Sequence, residues 1–436
     1  MLSMTHAQET YSVNDLLATA QHLNNSLRTT QKWDVRDDRT TAALVKCRKG
    51  LPLLRPDHPM LTAVLLVISE TLSRRFEALG EIADINDSII FLGESLTISP
   101  SSQDGYIDDE DDLHAAALSL NVMGDALTSR FMHSKNSEDV DAAIDNYRMA
   151  LALSSPDNPT HLQRRMELAN VLFLRFNEHG RREDLDEFIQ LERELVSSSE
   201  TEPDEDGTYR SLALRLIRLG NLLALRYTNS GMITFKAKGQ IEDIDGAIDR
   251  LREAIACLSG GNDLLDEGET HGSLAPILNL LGDLLISRHR KLGLIVDLEQ
   301  ATESYEKALA LLPNNDERRP RYLRDLAGSL RLTFREKGQI EDLDGAIDRM
   351  REALACLSNG IDPADKGETC ISLGFLARFL DARFRCTGER ADLDEAIRCR
   401  YQAMELDPTK RYSALDNLSN HFFALYLVTR DVSGLE

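Results

Sequence analysis

A ring residue followed eight positions later by aspartate recurs down this chain, at Phe76 and Asp84, Phe131 and Asp139, Phe176 and Asp184, His289 and Asp297, Phe334 and Asp342, and Phe384 and Asp392. A seventh copy, Tyr227 to Asp243, is eight residues longer through an insertion near Gly231 to Lys238. Copies at intervals of 45 to 62 residues describe a stack of supersecondary units. A stack needs no central core, because each unit buries its apolar stripe against its neighbours, so a chain of 436 residues reads as one elongated array.

Seven residues before each ring stands a small residue: Ser69, Gly124, Ala169, Gly220, Gly282, Ala327 and Ala377. A second column follows with Ser88, Ala143, Phe188, Ala247, Ala301, Ala346 and Ala396, and a third with Ser95, Ala150, Leu195, Ala254, Ala308, Ala353 and Ala403. Small residues seven apart share one helical face and let a neighbouring helix approach closely, so each unit is predicted to be a pair of packed helices, A and B. Acidic residues such as Asp139, Asp184, Asp342 and Asp392 are expected to cap the start of helix B. Pro100, Pro156, Pro313 and Pro408 mark helix ends, and glycines at 80, 180, 239, 293, 338 and 388 mark the turn between A and B. No stretch alternates as a strand would.

The order Leu281, Gly282, Ala301, Tyr305, Ala308, Pro313 resembles the tetratricopeptide repeat, lengthened by the segment between the helices. The resemblance implies an all-α, right-handed superhelical solenoid of antiparallel helix pairs. The long form of the unit also looks like the repeats that precede a caspase-like CHAT domain in fungal proteins. Residues 1–57 are expected to form a degenerate capping pair, with Ala43 and Gly50 seven apart on its second helix. Residues 58–436 are expected to form seven long units ending inside an incomplete eighth. Two segments 99 residues apart, starting at Lys238 and Lys337, are nearly identical, which points to growth by copying two units at once.

Fifty basic against seventy-three acidic residues, a formal charge of −23, speak against nucleic acid and anionic membrane as partners. Neither a signal peptide nor a membrane-length apolar run is present, and six cysteines without CxxC spacing read as buried reduced thiols, so a cytoplasmic protein without cofactor or metal is expected. Phosphate-binding glycine loops, HExxH and GxSxG are absent, so no enzyme is read from the chain. His289 occupies a ring position and is expected to pack. The recurring arginine before the ring, at 75, 130, 175, 226, 288 and 383, is expected to pair with the acidic start of helix B, and Thr333 interrupts the series.

The tetratricopeptide resemblance directs attention to the groove lined by the A helices, where an asparagine after the Leu-Gly pair holds ligand backbone in peptide-gripping members. The matching residues here are Asp125, Asn170, Asn221, Asp283, Arg378 and Asn420, with Asn170 and Asn221 in successive units. The expected function is a non-enzymatic scaffold or sensor array holding a protein or peptide in its concave groove, within a larger multidomain protein. The alternative is the regulatory region of a CHAT-type cysteine protease whose catalytic domain lies beyond Glu436. The apolar run Phe422 to Val428 suggests self-association through the carboxy-terminal end.

Overall fold

The computed structural model describes residues 15–16, 18–23, 38–53, 60–97, 110–155, 159–199, 210–230, 237–259, 267–357 and 363–407. These residues form α-helices and one short 3-10 turn, with no strand among them. After α1 (Asp38–Gly50) come seven A–B pairs: α2 (Leu61–Leu79) with α3 (Ile82–Thr97), α4 (Glu110–Ser134) with α5 (Ser137–Ala152), and α6 (Pro159–His179) with α7 (Arg182–Ser199). The series continues with α8 (Arg210–Ser230) and α9 (Ala237–Ser259), α10 (Glu267–Leu292) and α11 (Ile295–Leu311), α12 (Arg319–Lys337) and α13 (Ile340–Leu357), and α14 (Pro363–Thr387) and α15 (Arg390–Leu406). The fold is an all-α solenoid of antiparallel helix pairs. It divides into two compact bodies, residues 1–195 and 196–436, described separately below.

The small columns are where the helices touch. Ser69, Ala169, Ala327 and Ala377 on A helices, and Ser88, Ala143, Ala247, Ala301, Ala346 and Ala396 on B helices, are buried. In the first body, Ala43, Leu44 and Cys47 of α1 pack with Leu16, Ala20 and Leu23 and with Leu61, Val64, Leu65, Ile68 and Leu72 of α2. Gly50 lies where an added Cβ would sit 3.0 Å from Leu16 Cδ1, so the seven-residue spacing from Ala43 does mark a contact face. In the second body, Ala346, Ile347 and Met350 of α13 meet Leu373, Leu376, Ala377 and Leu380 of α14 in a dry cluster that also takes in Ala396 and Cys399.

Six described turns reverse the chain in the same way. The amide of Gly80, Gly180, Gly293 and Gly338 donates to the carbonyl of the ring residue four positions earlier at 2.7 Å, and Gly388 does so at 2.8 Å. All five glycines have φ between 66° and 74°, the left-handed conformation that a Cβ disfavours. Lys135 takes the same role with φ 57°. Gly239 departs from the expectation, because α9 begins at Ala237 and encloses it. His289 is buried, with Nδ1 2.9 Å from the Leu294 carbonyl, and packs as expected.

The aspartates at the start of the B helices do something other than cap. Each is the third residue of its helix, except Asp243, which is the seventh, and each apart from Asp342 is gripped by the arginine that precedes the ring. Arg130, Arg175, Arg288 and Arg383 each donate through Nε and Nη2 to the two oxygens of Asp139, Asp184, Asp297 and Asp392 at 2.6–3.0 Å. Arg226 makes the same two-pronged contact with Asp243, and Arg75 donates from Nε to Asp84 at 2.7 Å. The pairing expected of these arginines is present and displaces the expected capping, because Asp84, Asp139, Asp184, Asp297 and Asp392 are almost fully buried, and a buried carboxylate needs a full positive charge more than it needs a backbone amide. The remaining nitrogen, Nη1, reaches back to the preceding repeat, where Arg130 meets Asn86, Arg175 meets Asp141, Arg288 meets Asp245 and Arg383 meets Asp344 at 2.6–2.9 Å. One side chain thus fixes the angle within a repeat and the contact with its neighbour.

No helix among the described residues is long and apolar enough to cross a membrane. Of the six free cysteines, Cys47, Cys370 and Cys399 are buried, Cys257 and Cys356 are half-buried, and Cys386 is exposed at the end of α14, against the expectation of burial. Its position there is on the last turn before Gly388, beyond the contact face.

Candidate functional site

The fate of the residue after the small A-helix position depends on what helix B sends toward it. In two repeats that is a tyrosine. Gly282 leaves space that the Tyr305 ring fills, with an added Cβ falling 2.5 Å from its Cε1, and Gly124 does the same for Tyr147. The buried rings then deliver their hydroxyls to Asp283 Oδ1 at 2.7 Å and to Asp125 Oδ1 at 2.6 Å. Burial, then the facing carboxylate, raises the pKa of both phenols, so they stay protonated and donate to these carboxylates. Desolvation raises Asp283, while the hydrogen bond from Tyr305 opposes the shift. Asp125 is pushed up to about 6, chiefly by loss of water around its carboxyl and further by Glu167, Glu77 and Glu70.

In the second body, α10, α12 and α14 enclose a cavity of about 560 Å³. Its wall includes Asp283 and Arg290 from α10, Tyr305 from α11, Arg324, Asp325, Gly328, Arg331 and Arg335 from α12, and Phe375, Arg378 and Phe379 from α14. Asp283, Gly328 and Arg378 are repeat-equivalent, each directly following the small residue of its A helix, so the periodicity itself brings them to one groove. Asp325 accepts from Asn279 Nδ2 at 3.3 Å, and its pKa is pushed up to about 6, first by burial and then by Asp283.

Five arginines against two aspartates make this groove positive within a chain of net charge −23. Arg324 pairs with Glu368, and Arg335 reaches the adjacent Glu336 at 3.1 Å. Arg290, Arg331 and Arg378 meet no carboxylate among the described residues; Arg378 instead lies 5.7 Å over the Phe375 ring. Burial, then the charges of Arg335 and Arg385, lowers the pKa of Arg331. The combination of paired aromatic surface and unneutralised guanidinium groups suits an anionic ligand with an apolar part.

Of the residues singled out from the sequence, Asp283 and Arg378 line this groove. Asn221 is exposed on α8 in the same body and does not contribute to the cavity wall. Asp125 and exposed Asn170 belong to the other body, and Asn420 lies outside the described residues. Sequence reasoning missed Arg331 and Arg335 because it followed the arginine before the ring, which the structure uses for packing. The available signal was the residue after the ring: Arg290, Arg335 and Arg385 hold that position in three successive repeats, where earlier repeats have Glu77, Met132, Asn177 and Thr228. Among the described residues no group of His, Cys, Asp or Glu is placed to hold a metal ion.

No family model matches the sequence, and no curated protein matches it. Solved structures do. The apo form of RapI is 13% identical with a TM-score of 0.43, covering 95% of this chain and 97% of that one. The C-terminal part of a TPR repeat-containing protein from Cytophaga hutchinsonii is 12% identical, with a TM-score of 0.36 and coverage of 92% and 99%. A human IFIT1 dimer with PPP-AAAA is 11% identical, with a TM-score of 0.36 and coverage of 98% and 90%. Nothing in these likenesses links the chain to CHAT-domain proteins.

Proposed function

We propose that this chain is a non-enzymatic repeat scaffold that holds a protein or peptide segment in the groove formed by α10, α12 and α14. The observation that carries the reading is the groove itself: three successive A helices contribute equivalent positions to one wall, and that wall mixes Phe375 and Phe379 with charged groups able to orient a chain. On the same reading residues 1–57 serve as a cap for the repeats that follow, and the work of binding falls to the array.

Gly328 supplies the test. A Cβ added there meets nothing within 4 Å, so a side chain can leave the backbone of this wall unhindered, and Gly328→Trp would take up groove space. Peptides selected from a random library on the full chain should bind the wild type and lose affinity for Gly328→Trp, with the melting temperature retained. Selected peptides that bind both proteins equally would place the working surface elsewhere.

A further inference from the structure

Resting on that reading, we infer that the groove recognises an internal acidic segment of a peptide, in which side-chain carboxylate or phosphoryl groups meet Arg290, Arg331 and Arg378 and an apolar side chain lies on Phe375.

The first support is the pattern of ion pairing. In the described structure most arginines reach a carboxylate, and the chain supplies an excess of acid, 73 residues against 50 basic ones. Three arginines without a carboxylate among the described residues nevertheless share the wall of one cavity. Placing like charges together in a half-enclosed space costs free energy, and at Arg331 burial, then the charges of Arg335 and Arg385, disfavours the charged form. A ligand bearing anionic oxygens relieves it, and guanidinium groups offer planar, two-pronged donors to carboxylate and phosphoryl oxygens alike.

The second support is the layout. Arg324, Arg331 and Arg335 follow one another at seven and four residues, which sets them on one face of α12. Arg290 stands on the A helix before it and Arg378 on the one after, so the unpaired charges are distributed across three helices rather than focused on a point. That distribution fits charges spaced along an extended chain better than a single terminal carboxylate. Phe375, covered on one side by Arg378, gives an apolar surface beside the charges. The two acids of the wall, Asp283 bonded to the Tyr305 hydroxyl and Asp325 to Asn279, offset part of the positive charge, Asp283 being drawn to Arg290, but two carboxylates do not balance five arginines.

Fluorescence polarisation on the full chain tests this with short labelled peptides whose ends are acetylated and amidated. One alternates Glu and Leu around a central Phe, a second carries phosphoserine in place of Glu, a third carries Gln, and a single-stranded RNA completes the set. Binding of the Glu or the phosphoserine peptide, with the Gln peptide weaker by about tenfold or more, is expected, and the stronger of the two anionic peptides identifies the oxygen source. Replacing Arg331→Gln and Arg378→Gln together should weaken the anionic peptide by about tenfold or more with the melting temperature unchanged, whereas Arg349→Gln, on the exposed face of α13, should not. Equal binding of the Gln peptide, an unaffected Arg331→Gln/Arg378→Gln variant, or RNA binding tighter than every peptide would each overturn the inference. A Gln peptide that binds and is lost in Gly328→Trp would leave the scaffold reading standing while removing the acidic specificity. Absence of binding by every peptide, library-selected ones included, would remove both.

Discussion

Thr333 occupies the position that holds arginine in six other repeats, and the carboxylate that such an arginine would grip, Asp342, has its Oδ2 buried with no hydrogen-bond partner. Thr333 itself turns inward, donating its hydroxyl to the Ser329 carbonyl at 3.1 Å. The repeat before it has also changed, carrying Glu299 where others have Asp or Asn, and Lys337 takes up that acid at 2.8 Å. Restoring the arginine as Thr333→Arg should therefore stabilise the second body by about 1 to 3 kcal/mol, the worth of charge-assisted bonds to an otherwise orphaned group. Urea unfolding measures it, and a midpoint equal to the wild type would show that Asp342 is not in deficit.

Removing an arginine from an intact position should have the opposite effect. Arg383→Ala leaves Asp392 charged, 2% exposed and without its partner, at a cost of about 3 to 5 kcal/mol. Adding Asp392→Asn should recover part of that loss, because the buried charge is gone. If the double variant is as unstable as the single one, packing rather than charge dominates at this position.

Glycines in the A helices should respond to alanine with opposite signs. Gly282→Ala drives a Cβ to 2.5 Å from a Tyr305 ring that is buried and tethered through Asp283, and overpacking of this kind costs about 1 to 3 kcal/mol. Gly328→Ala meets open space and gains helix propensity, about 0.5 to 1 kcal/mol of stabilisation. Thermal melts of the two variants against wild type check both; the same sign in each would refute the packing described around Tyr305.

The groove acids give stability a pH dependence. Asp325 titrates near 6 in the folded protein against 3.8 for the ordinary side chain. Between those values the folded state binds a proton that the unfolded state does not, so the contribution of Asp325 makes the protein less stable as pH rises from about 4 to 6, with no further change above. Asp325→Asn should flatten that part of the profile while keeping an acceptor for Asn279. Melting temperatures across this range that fall equally steeply in the variant would assign the slope to other groups.

The fold was legible because packing repeats. Seven copies of a small residue and a ring carry their register openly, and Ala346 or Ala377 could be placed at helix contacts from spacing alone. The pairing of the aspartates that open the B helices with the arginines before the ring was legible, but not their burial, since a sequence shows an acid near a helix start without showing how much water remains around it. Gly239 was misplaced because the lengthened segment in its repeat moves the start of the B helix, and spacing alone does not say by how much. At the groove, the periodicity delivered Asp283 and Arg378 but not Arg331, which has no counterpart in neighbouring repeats: Ile286 and Asp381 stand at its place. Local chemistry written once, on a scaffold that writes everything else seven times, leaves no pattern to read.

The backward reach of each arginine has a consequence for heredity as well as for rigidity. Arg288 and Arg383 hold the preceding repeat through the same Nη1 contact, to Asp245 and Asp344, so these two junctions are alike in kind. A pair of repeats copied in tandem brings both halves of a working joint with it, as the 99-residue offset between the segments at Lys238 and Lys337 illustrates. Recombination can thus lengthen or shorten such a gene without inventing a new interface, which leaves groove residues such as Arg331 free to diverge copy by copy while joints such as Arg288–Asp245 and Arg383–Asp344 stay alike.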